Sequence, residues 1–225
     1  MSDKSKSVWV AVAFLVGVAG ASGRASAQTT FNSPYGAWQP VNVYLGTMTV
    51  FPASSNVVLW QNTSTGACSS SVLQTPLGSQ INVYGSSGND LMVVVRAGAQ
   101  WPINCSNIGT VNLTGFKTNS PVVLDGLQGD DVIMTGDGEA WAYGNSGNDV
   151  IYNFSNSIYT VLSGGPGNDR IITYTAVGHI WGEDGDDCLQ NLSGSLTGFF
   201  CGAGADKVAG TGDRWNCEIS VSTCF

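Results

Sequence analysis

The sequence predicts an all-β protein, a right-handed parallel β-roll or β-helix solenoid with coils of ~19 residues. A Gly-rich hexapeptide recurs six times, starting at positions 85, 126, 144, 164, 182 and 201. Apolar residues hold fixed places relative to it, and helical periodicity is absent after residue 27. A fixed short period is typical of a repeat array in which each unit stacks on the one before it.

The hexapeptide columns predict which residues point inward. Position 4 is Gly and position 6 is Asp in all six copies, for example in "GGPGND" at 164–169. The residue at position 8 and the residue two places before the hexapeptide are always apolar. Each period should therefore form a tight turn, a strand, a looser turn and a return strand, with both apolar columns inside. We expect Gly at positions 1 and 4 to supply positive φ and Asn or Asp at position 5 to tolerate it.

The spacing of the copies predicts how many coils there are. Four of the five steps are 18–20 residues, and the first is 41, about two periods. The worn unit "CSNIGT" from Cys105 falls inside that long step. We therefore expect about eight coils between Thr65 and Cys217.

The composition divides the chain into four parts. Residues 1–27 combine a basic start, an apolar run and "ASA", the pattern of a secretory signal peptide, so we expect export. Residues 28–84 are uncharged and should form a cap and the first coils. The roll should occupy 85–210, and a disulfide-tied cap 211–225. No later apolar run is long enough to span a membrane.

The charge is concentrated in the turns. Without residues 1–27 the chain has 15 acidic and 5 basic residues, a net charge of −10, and ten of the acidic residues lie in the hexapeptides. The chain has no basic surface to neutralise phosphates, which excludes nucleic acid as a partner. Six cysteines in an exported chain favour disulfides. We expect Cys68 to pair with Cys105 and the last four cysteines to pair among themselves.

The hexapeptides and the apolar step after them resemble the hemolysin-type repeat of RTX proteins, G-G-x-G-x-D-x-U-x, over about residues 82–210. The resemblance implies a parallel β-roll with Ca²⁺ between stacked turns, four sites between the copies from 126 to 201, and a doubtful role for Asp90 beside "CSNIGT". The motif recurs here at 18–20 residues, so one edge alone would bind calcium. The implied ligands are Asp131, Asp149, Asp169, Asp187 and Asp206, helped by Asp130, Asp186 and the turn carbonyls of Gly126, Gly144, Gly164 and Gly182.

The alternative to calcium is a set of metal-free turns in which each Asp caps local backbone N–H groups. Carboxylates stacked every ~4.8 Å repel one another unless cations lie between them. "GEDGDD" places Glu183, Asp184, Asp186 and Asp187 in six residues. Calcium binding is therefore the preferred interpretation, since Ca²⁺ accepts six to eight carboxylate and carbonyl oxygens.

Candidate catalytic residues are few, which favours a structural or binding role over an enzyme. His179 is the only His, and it lies in an outward column. A polysaccharide lyase would use Arg170 beside Asp169, but an Arg beside a carboxylate column more often neutralises charge. A calcium-dependent glycan-binding or adhesion module is the other alternative, with an extracellular polysaccharide as partner. It would use aromatic residues such as Trp181 and Phe200, which also fit a packed ladder.

Overall fold

The computed structural model describes residues 41–44, 48–54, 57–62, 65–72, 81–94, 100–114, 121–175, 178–194 and 198–224. The predicted signal peptide at 1–27 lies outside these residues. In the described part every regular element is a strand, so no helix there could span a membrane. In chain order the strands are β1 (Val41–Tyr44), β2 (Met48–Ser54), β3 (Val57–Asn62), β4 (Cys68–Val72), β5 (Ile81–Tyr84), β6 (Leu91–Val93), β7 (Gln100–Cys105), β8 (Gly109–Thr114), β9 (Val122–Asp125), β10 (Val132–Met134), β11 (Ala140–Tyr143), β12 (Val150–Asn153), β13 (Val161–Ser163), β14 (Arg170–Thr173), β15 (His179–Asp184), β16 (Cys188–Asn191), β17 (Gly198–Ala203), β18 (Lys207–Ala209), β19 (Asp213–Trp215) and β20 (Ile219–Ser220).

Two parallel sheets form the solenoid. The first has eight strands in the order β1-β5-β9-β11-β13-β15-β17-β19, and the second has seven in the order β20-β18-β16-β14-β12-β10-β6. The chain alternates between the sheets, so each coil contributes one strand to each. From β9 to β18 the coils follow at about 19 residues and make about five turns. The predicted parallel solenoid and its period are confirmed.

The core consists of the two predicted apolar columns. The position-8 side chains Met92, Ile133, Ile151, Ile171, Leu189 and Val208 are all 0% exposed, and the opposite column runs from Val83 through Leu124, Ala142, Leu162 and Ile180 to Phe199. In-register pairing places each residue directly over its counterpart in the next coil. Burying a Leu, Ile or Phe side chain contributes about 1.5–3 kcal/mol, so this interior is the main source of stability.

The N-terminal coils differ from the prediction. β5 pairs directly with β9 and β6 with β10, so residues 81–94 stack on residues 121–134 without a coil between them. The segment between them contains the antiparallel hairpin β7–β8, whose tip pairs Cys105 with Gly109, and "CSNIGT" is that tip rather than a worn coil. Residues 65–72 lie in the antiparallel sheet β2-β3-β4. The expectation of about eight coils starting near Thr65 was therefore wrong.

These two antiparallel elements share a second apolar cluster with the first coils. Leu59 of β3 and Ile103 of β7 are buried with Val93 of β6. Leu91 and Met134 pack against the same cluster. The two antiparallel elements therefore cover the outer face of the second sheet at its first coils.

The disulfides follow the predicted grouping. Cys68 pairs with Cys105 and joins the antiparallel sheet to the hairpin. Cys188 pairs with Cys224, and Cys201 with Cys217, so the last four cysteines pair among themselves. Both C-terminal bridges tie the end of the chain to the last coils of the solenoid.

Candidate metal centre

The hexapeptide turns connect the first sheet to the second and stack along one edge of the solenoid, which we call the glycine edge (residues 85–90, 126–131, 144–149, 164–169, 182–187 and 201–206). Backbone hydrogen bonds continue through these turns. The N–H of Gly147 donates to Pro166 O, and the N–H of Gly167 donates to Asp184 O. The turns therefore keep the register of the sheets on either side.

Position 4 requires Gly for two reasons. Gly147 has φ +143° and Gly167 has φ +146°, values that side chains rarely adopt. A Cβ on Gly167 would also lie 1.6 Å from the carbonyl oxygen of Gly147 in the preceding coil. Position 4 is thus fixed by both conformation and stacking.

The other positive-φ residue is at position 2, not at positions 1 or 5 as expected. Leu127, Asn145 and Glu183 have φ of 74°, 66° and 82° there. Glycine is required at position 1 for a different reason. A Cβ on Gly126 would lie 2.2 Å from Oδ2 of Asp131 and 2.7 Å from the carbonyl oxygen of Gly144. Two oxygens therefore converge on a space that only glycine leaves open.

The position-6 carboxylates join neighbouring coils through Oδ1. The N–H of Asp131 donates to Oδ1 of Asp149 at 2.7 Å, and the N–H of Asp149 donates to Oδ1 of Asp169 at 2.7 Å. The same bond links Asp169 to Asp187 at 2.8 Å and Asp187 to Asp206 at 2.9 Å. These bonds run between coils, whereas the metal-free interpretation had predicted local caps. One oxygen of each Asp thus serves stacking without any metal.

The second carboxylate oxygen has no such role. Oδ2 is buried and has no hydrogen-bond partner in five successive turns: Asp131, Asp149, Asp169, Asp187 and Asp206. A buried carboxylate oxygen without a partner costs free energy of about 1–3 kcal/mol or more. Each Oδ2 from Asp131 to Asp187 lies against the Gly at position 1 of its own turn. Unpaired hard oxygens beside backbone carbonyls are the donors that Ca²⁺ prefers, so these residues fit a calcium ion.

Burial of this column opposes ionisation. Burial, together with the charge of neighbouring carboxylates, raises the pKa of Asp131 to about 7 and that of Asp169 to about 8. Burial also raises the pKa of Asp149 and of Asp187 to about 6. Hydrogen bonds donated by backbone N–H groups act in the opposite direction at all four. A cation beside the column would reverse this balance, because it favours the charged form.

The position-5 residues are exposed and act between coils as well. Oδ1 of Asp130 accepts the N–H of Asn148 at 2.8 Å, and Oδ1 of Asp186 accepts the N–H of Ala205 at 2.8 Å. At position 5 the acceptor oxygen lies in one coil and the donor N–H in the following coil, whereas at position 6 the donor and acceptor are the other way round. The calcium role predicted for Asp130 and Asp186 stays a prediction, since stacking already accounts for one oxygen of each.

Asp90 is the direct neighbour of Asp131 in the column, whereas the sequence predicted "CSNIGT" as its neighbouring turn. Its N–H donates to Oδ1 of Asp131 at 2.7 Å because the hairpin insertion leaves the first and second hexapeptides adjacent. Its Oδ2 accepts local bonds from the N–H and the hydroxyl of Ser86. The six position-6 residues therefore enclose five gaps between neighbouring turns, one more than the spacing predicted.

At the opposite edge of the solenoid the buried side chains that join the coils are neutral. Thr135 Oγ1 donates to Oδ1 of Asn153 at 2.7 Å, and Asn153 Nδ2 donates to Oγ1 of Thr173 at 3.1 Å. All three side chains are fully buried. Neutral hydroxyls and amides thus stack these coils without unpaired carboxylates.

The residues proposed for catalysis or glycan contact lie on the strands that flank the glycine edge, not in its turns. Arg170 begins β14 on the second sheet. On the first sheet the rings of Trp181, Phe200 and Trp215 stack, with centroids 5.4 Å and 4.4 Å apart and interplanar angles of 14° and 6°. His179 is exposed and its ring tilts against those of Trp181 and Phe200. A packed ladder therefore accounts for these aromatic residues.

Across the described residues, no three His, Cys, Asp or Glu side chains converge on a single point. A metal ion at the glycine edge would take its ligands from single carboxylates of successive turns and from backbone carbonyls.

The comparisons with known proteins agree with this geometry. The family model of the RTX calcium-binding nonapeptide repeat (4 copies) matches residues 125–153 and 161–176. These segments contain the turns at Gly126, Gly144 and Gly164, and they are calcium-binding repeats. No curated protein and no solved structure matches the chain.

Proposed function

We propose that these repeats make the chain an exported, non-catalytic calcium-binding protein whose ions hold the glycine edge together. The observation that carries the proposal is the row of five buried Oδ2 atoms without hydrogen-bond partners, four of which lie beside the Gly at position 1 of their turn. Calcium would neutralise carboxylates that burial otherwise disfavours. The function is then mechanical: it stabilises the acidic half of the solenoid where calcium is abundant.

The proposed ligands are one oxygen from each position-6 carboxylate and the turn carbonyls. Asp131, Asp149, Asp169, Asp187 and Asp206 supply the carboxylates, and Gly126, Gly144, Gly164 and Gly182 the first carbonyl of each turn. Oδ1 holds the coils in register, so Oδ2 can meet an ion without rearrangement of the sheets. Export is supported by the three disulfides and by the leader pattern at 1–27.

The test is a calcium titration of the chain from residue 28 onward, by calorimetry and by melting with and without chelator. We expect four or five ions per chain and a melting temperature that rises with calcium, because ions that bind only the folded state stabilise it. Magnesium is the control ion, since it demands a tighter octahedral shell. Absence of both calcium heat and a melting shift would refute the function and leave a disulfide-tied solenoid.

Glycan binding is the alternative, and the ring geometry bears on it. A sugar stacks on the open face of a ring, but both faces of Phe200 are covered, by Trp181 and Trp215. Trp215 is 45% exposed at the end of the row. We expect neither calcium-dependent retention on immobilised acidic polysaccharide nor any effect of Trp181→Ala on retention. Retention that calcium restores and Trp181→Ala removes would favour the alternative, and ultraviolet-absorbing unsaturated products lost in Arg170→Ala would favour a lyase.

A further inference from the structure

The carboxylate column does not end with the last hexapeptide. From Asp90 to Asp187 the N–H of each position-6 Asp donates to a carboxylate oxygen in the next coil. Asp206 has no hexapeptide after it, yet its N–H donates to Oε2 of Glu218 at 3.1 Å. Glu218 therefore takes the place that a seventh position-6 Asp would have.

A shortened final coil brings Glu218 there. β19 pairs with β17 and β20 pairs with β18, and only three residues, 216–218, connect them. Ile219 pairs with Lys207, so Glu218 precedes its strand as Asp206 precedes β18. Asn216 turns the chain with φ 54°, and the Cys201–Cys217 bridge fixes the turn to the coil above. The longer Glu side chain reaches the column from this smaller turn.

The oxygens at this end are arranged differently from those of the inner turns. Asp206 is 0% exposed, its Oδ1 accepts the N–H of Asp187, and its Oδ2 has no hydrogen-bond partner. Position 1 of this turn is Cys201, not Gly, so the space that receives Oδ2 in the inner turns already holds a Cβ. Burial raises the pKa of Asp206, and the charge of Glu218 and contact between the two side chains raise it further. Two carboxyl groups thus meet at the end of the column.

We propose that Asp206 and Glu218 form a terminal calcium site, in which Glu218 supplies the carboxylate of the missing seventh repeat. The proposal rests on the proposed function, since it extends the calcium column by one position. A divalent cation between the two groups would neutralise the buried Oδ2 and the repulsion in one step. Because Glu218 is exposed, this ion would keep water ligands and bind more weakly than the inner ions.

The first experiment counts calcium ions bound to the full disulfide-bonded chain by equilibrium dialysis, in the wild type and in Glu218→Gln. The amide keeps an oxygen that can accept the N–H of Asp206 but removes the charge. We expect Glu218→Gln to bind one ion fewer and to melt in chelator within about 2 °C of the wild type, since one backbone hydrogen bond is kept. Asp213→Asn removes an exposed carboxylate of β19 as the matched control and should keep the full count.

Glu218→Ala separates ligation from capping. It removes both the charge and the hydrogen-bond acceptor, so it should lower the melting temperature in chelator as well as the ion count. If Glu218→Gln keeps the wild-type count and only Glu218→Ala changes anything, Glu218 is a backbone cap and the inference is overturned. If the wild type itself binds no calcium, the proposed function fails, which is a different result.

A measurement on the unmodified chain covers the case in which the variants do not fold. Exposed carboxyl groups are amidated with a carbodiimide and an amine, with calcium or with chelator, and the sites are mapped by mass spectrometry. Glu218 should react in chelator and be protected at least fivefold by calcium, while exposed Asp213 should react equally in both. Equal reaction of Glu218 in both conditions would overturn the inference.

Discussion

Replacing Asp169 by Asn should stabilise the calcium-free protein and weaken its response to calcium. Asp169 is 2% exposed, its Oδ1 accepts the N–H of Asp149 and its Oδ2 has no hydrogen-bond partner. Asn has the same shape and keeps an oxygen for the bond to the neighbouring coil. The substitution therefore removes the ionisable group but leaves the stacking contact.

The pKa of Asp169 gives the size of the effect. The ordinary value is 3.8, and burial raises it to about 8. At pH 7 the unfolded chain has this carboxylate ionised, whereas the folded chain keeps it protonated. One pH unit corresponds to about 1.4 kcal/mol, so the group lowers the free energy of unfolding by up to about 4 kcal/mol. Removing it should raise the melting temperature in chelator by up to about 10 °C.

Calcium should reverse the comparison. An ion that binds only the folded state adds about 2.7 kcal/mol at a concentration of 100 Kd. The Asp169→Asn variant lacks one carboxylate shared by two gaps, so it should bind at least one ion fewer and gain less from calcium. The assay is melting by circular dichroism at pH 7 in chelator and in calcium, with the ion count by calorimetry. Asp213→Asn, an exposed carboxylate outside the column, is the control and should change neither quantity.

Two results would refute this reasoning. If Asp169→Asn melts below the wild type in chelator, the buried carboxylate is not a cost to the calcium-free fold. If it binds the wild-type number of ions, Oδ2 of Asp169 is not a ligand.

Three further predictions concern pH and backbone geometry. Because burial raises the pKa values of Asp131 and Asp169 above their unfolded values, the calcium-free protein should lose stability as the pH rises from about 4 to 8, measured by melting in chelator; a flat profile would contradict this. Gly147→Ala should prevent the roll from folding, since its Cβ would lie 1.8 Å from a carbonyl oxygen of the preceding coil. Gly109→Ala is the control: Gly109 has φ +76° but no atom within 4 Å of the added Cβ, so the change should lower the free energy of unfolding by only about 1–2 kcal/mol. Equal losses of stability in the two variants would show that φ alone matters. Leu127→Asn should raise the melting temperature by about 1–3 °C, because Asn tolerates φ 74° better than Leu; a lower value would show that the exposed Leu side chain packs.

The sequence predicted the solenoid well because its repeats report on the interior directly. Ile151 and Ile171 lie 20 residues apart and meet in register, and both are 0% exposed. A buried position that stacks on its own counterpart is apolar in every period. The repeat pattern therefore predicts both the fold and the core residues.

The N-terminal region was mispredicted for a physical reason. The hairpin β7–β8 interrupts the array, and its tip at Cys105 mimics a turn in spacing while lacking the position-6 Asp. Spacing alone cannot distinguish an inserted hairpin of this length from a worn coil. The absence of Asp was the signal that could have shown Asp90 to be the direct neighbour of Asp131. Glu218 was missed similarly, because a three-residue turn retains none of the motif.

The comparison of the two edges explains why calcium binding and coil stacking are separable. Both edges stack the same coils, and the edge with Asn153 and Thr173 does so with neutral groups. At the glycine edge Oδ1 of Asp149 performs that same task, for which an amide oxygen would suffice. Stacking alone would therefore favour Asn at position 6, yet Asp occurs there in all six copies, and in five of them Oδ2 is buried without a hydrogen-bond partner. Stacking therefore does not explain the second carboxylate oxygen. A hard divalent cation does, because the neighbouring carbonyl oxygens are suitable ligands and the matched repeat is a calcium-binding one.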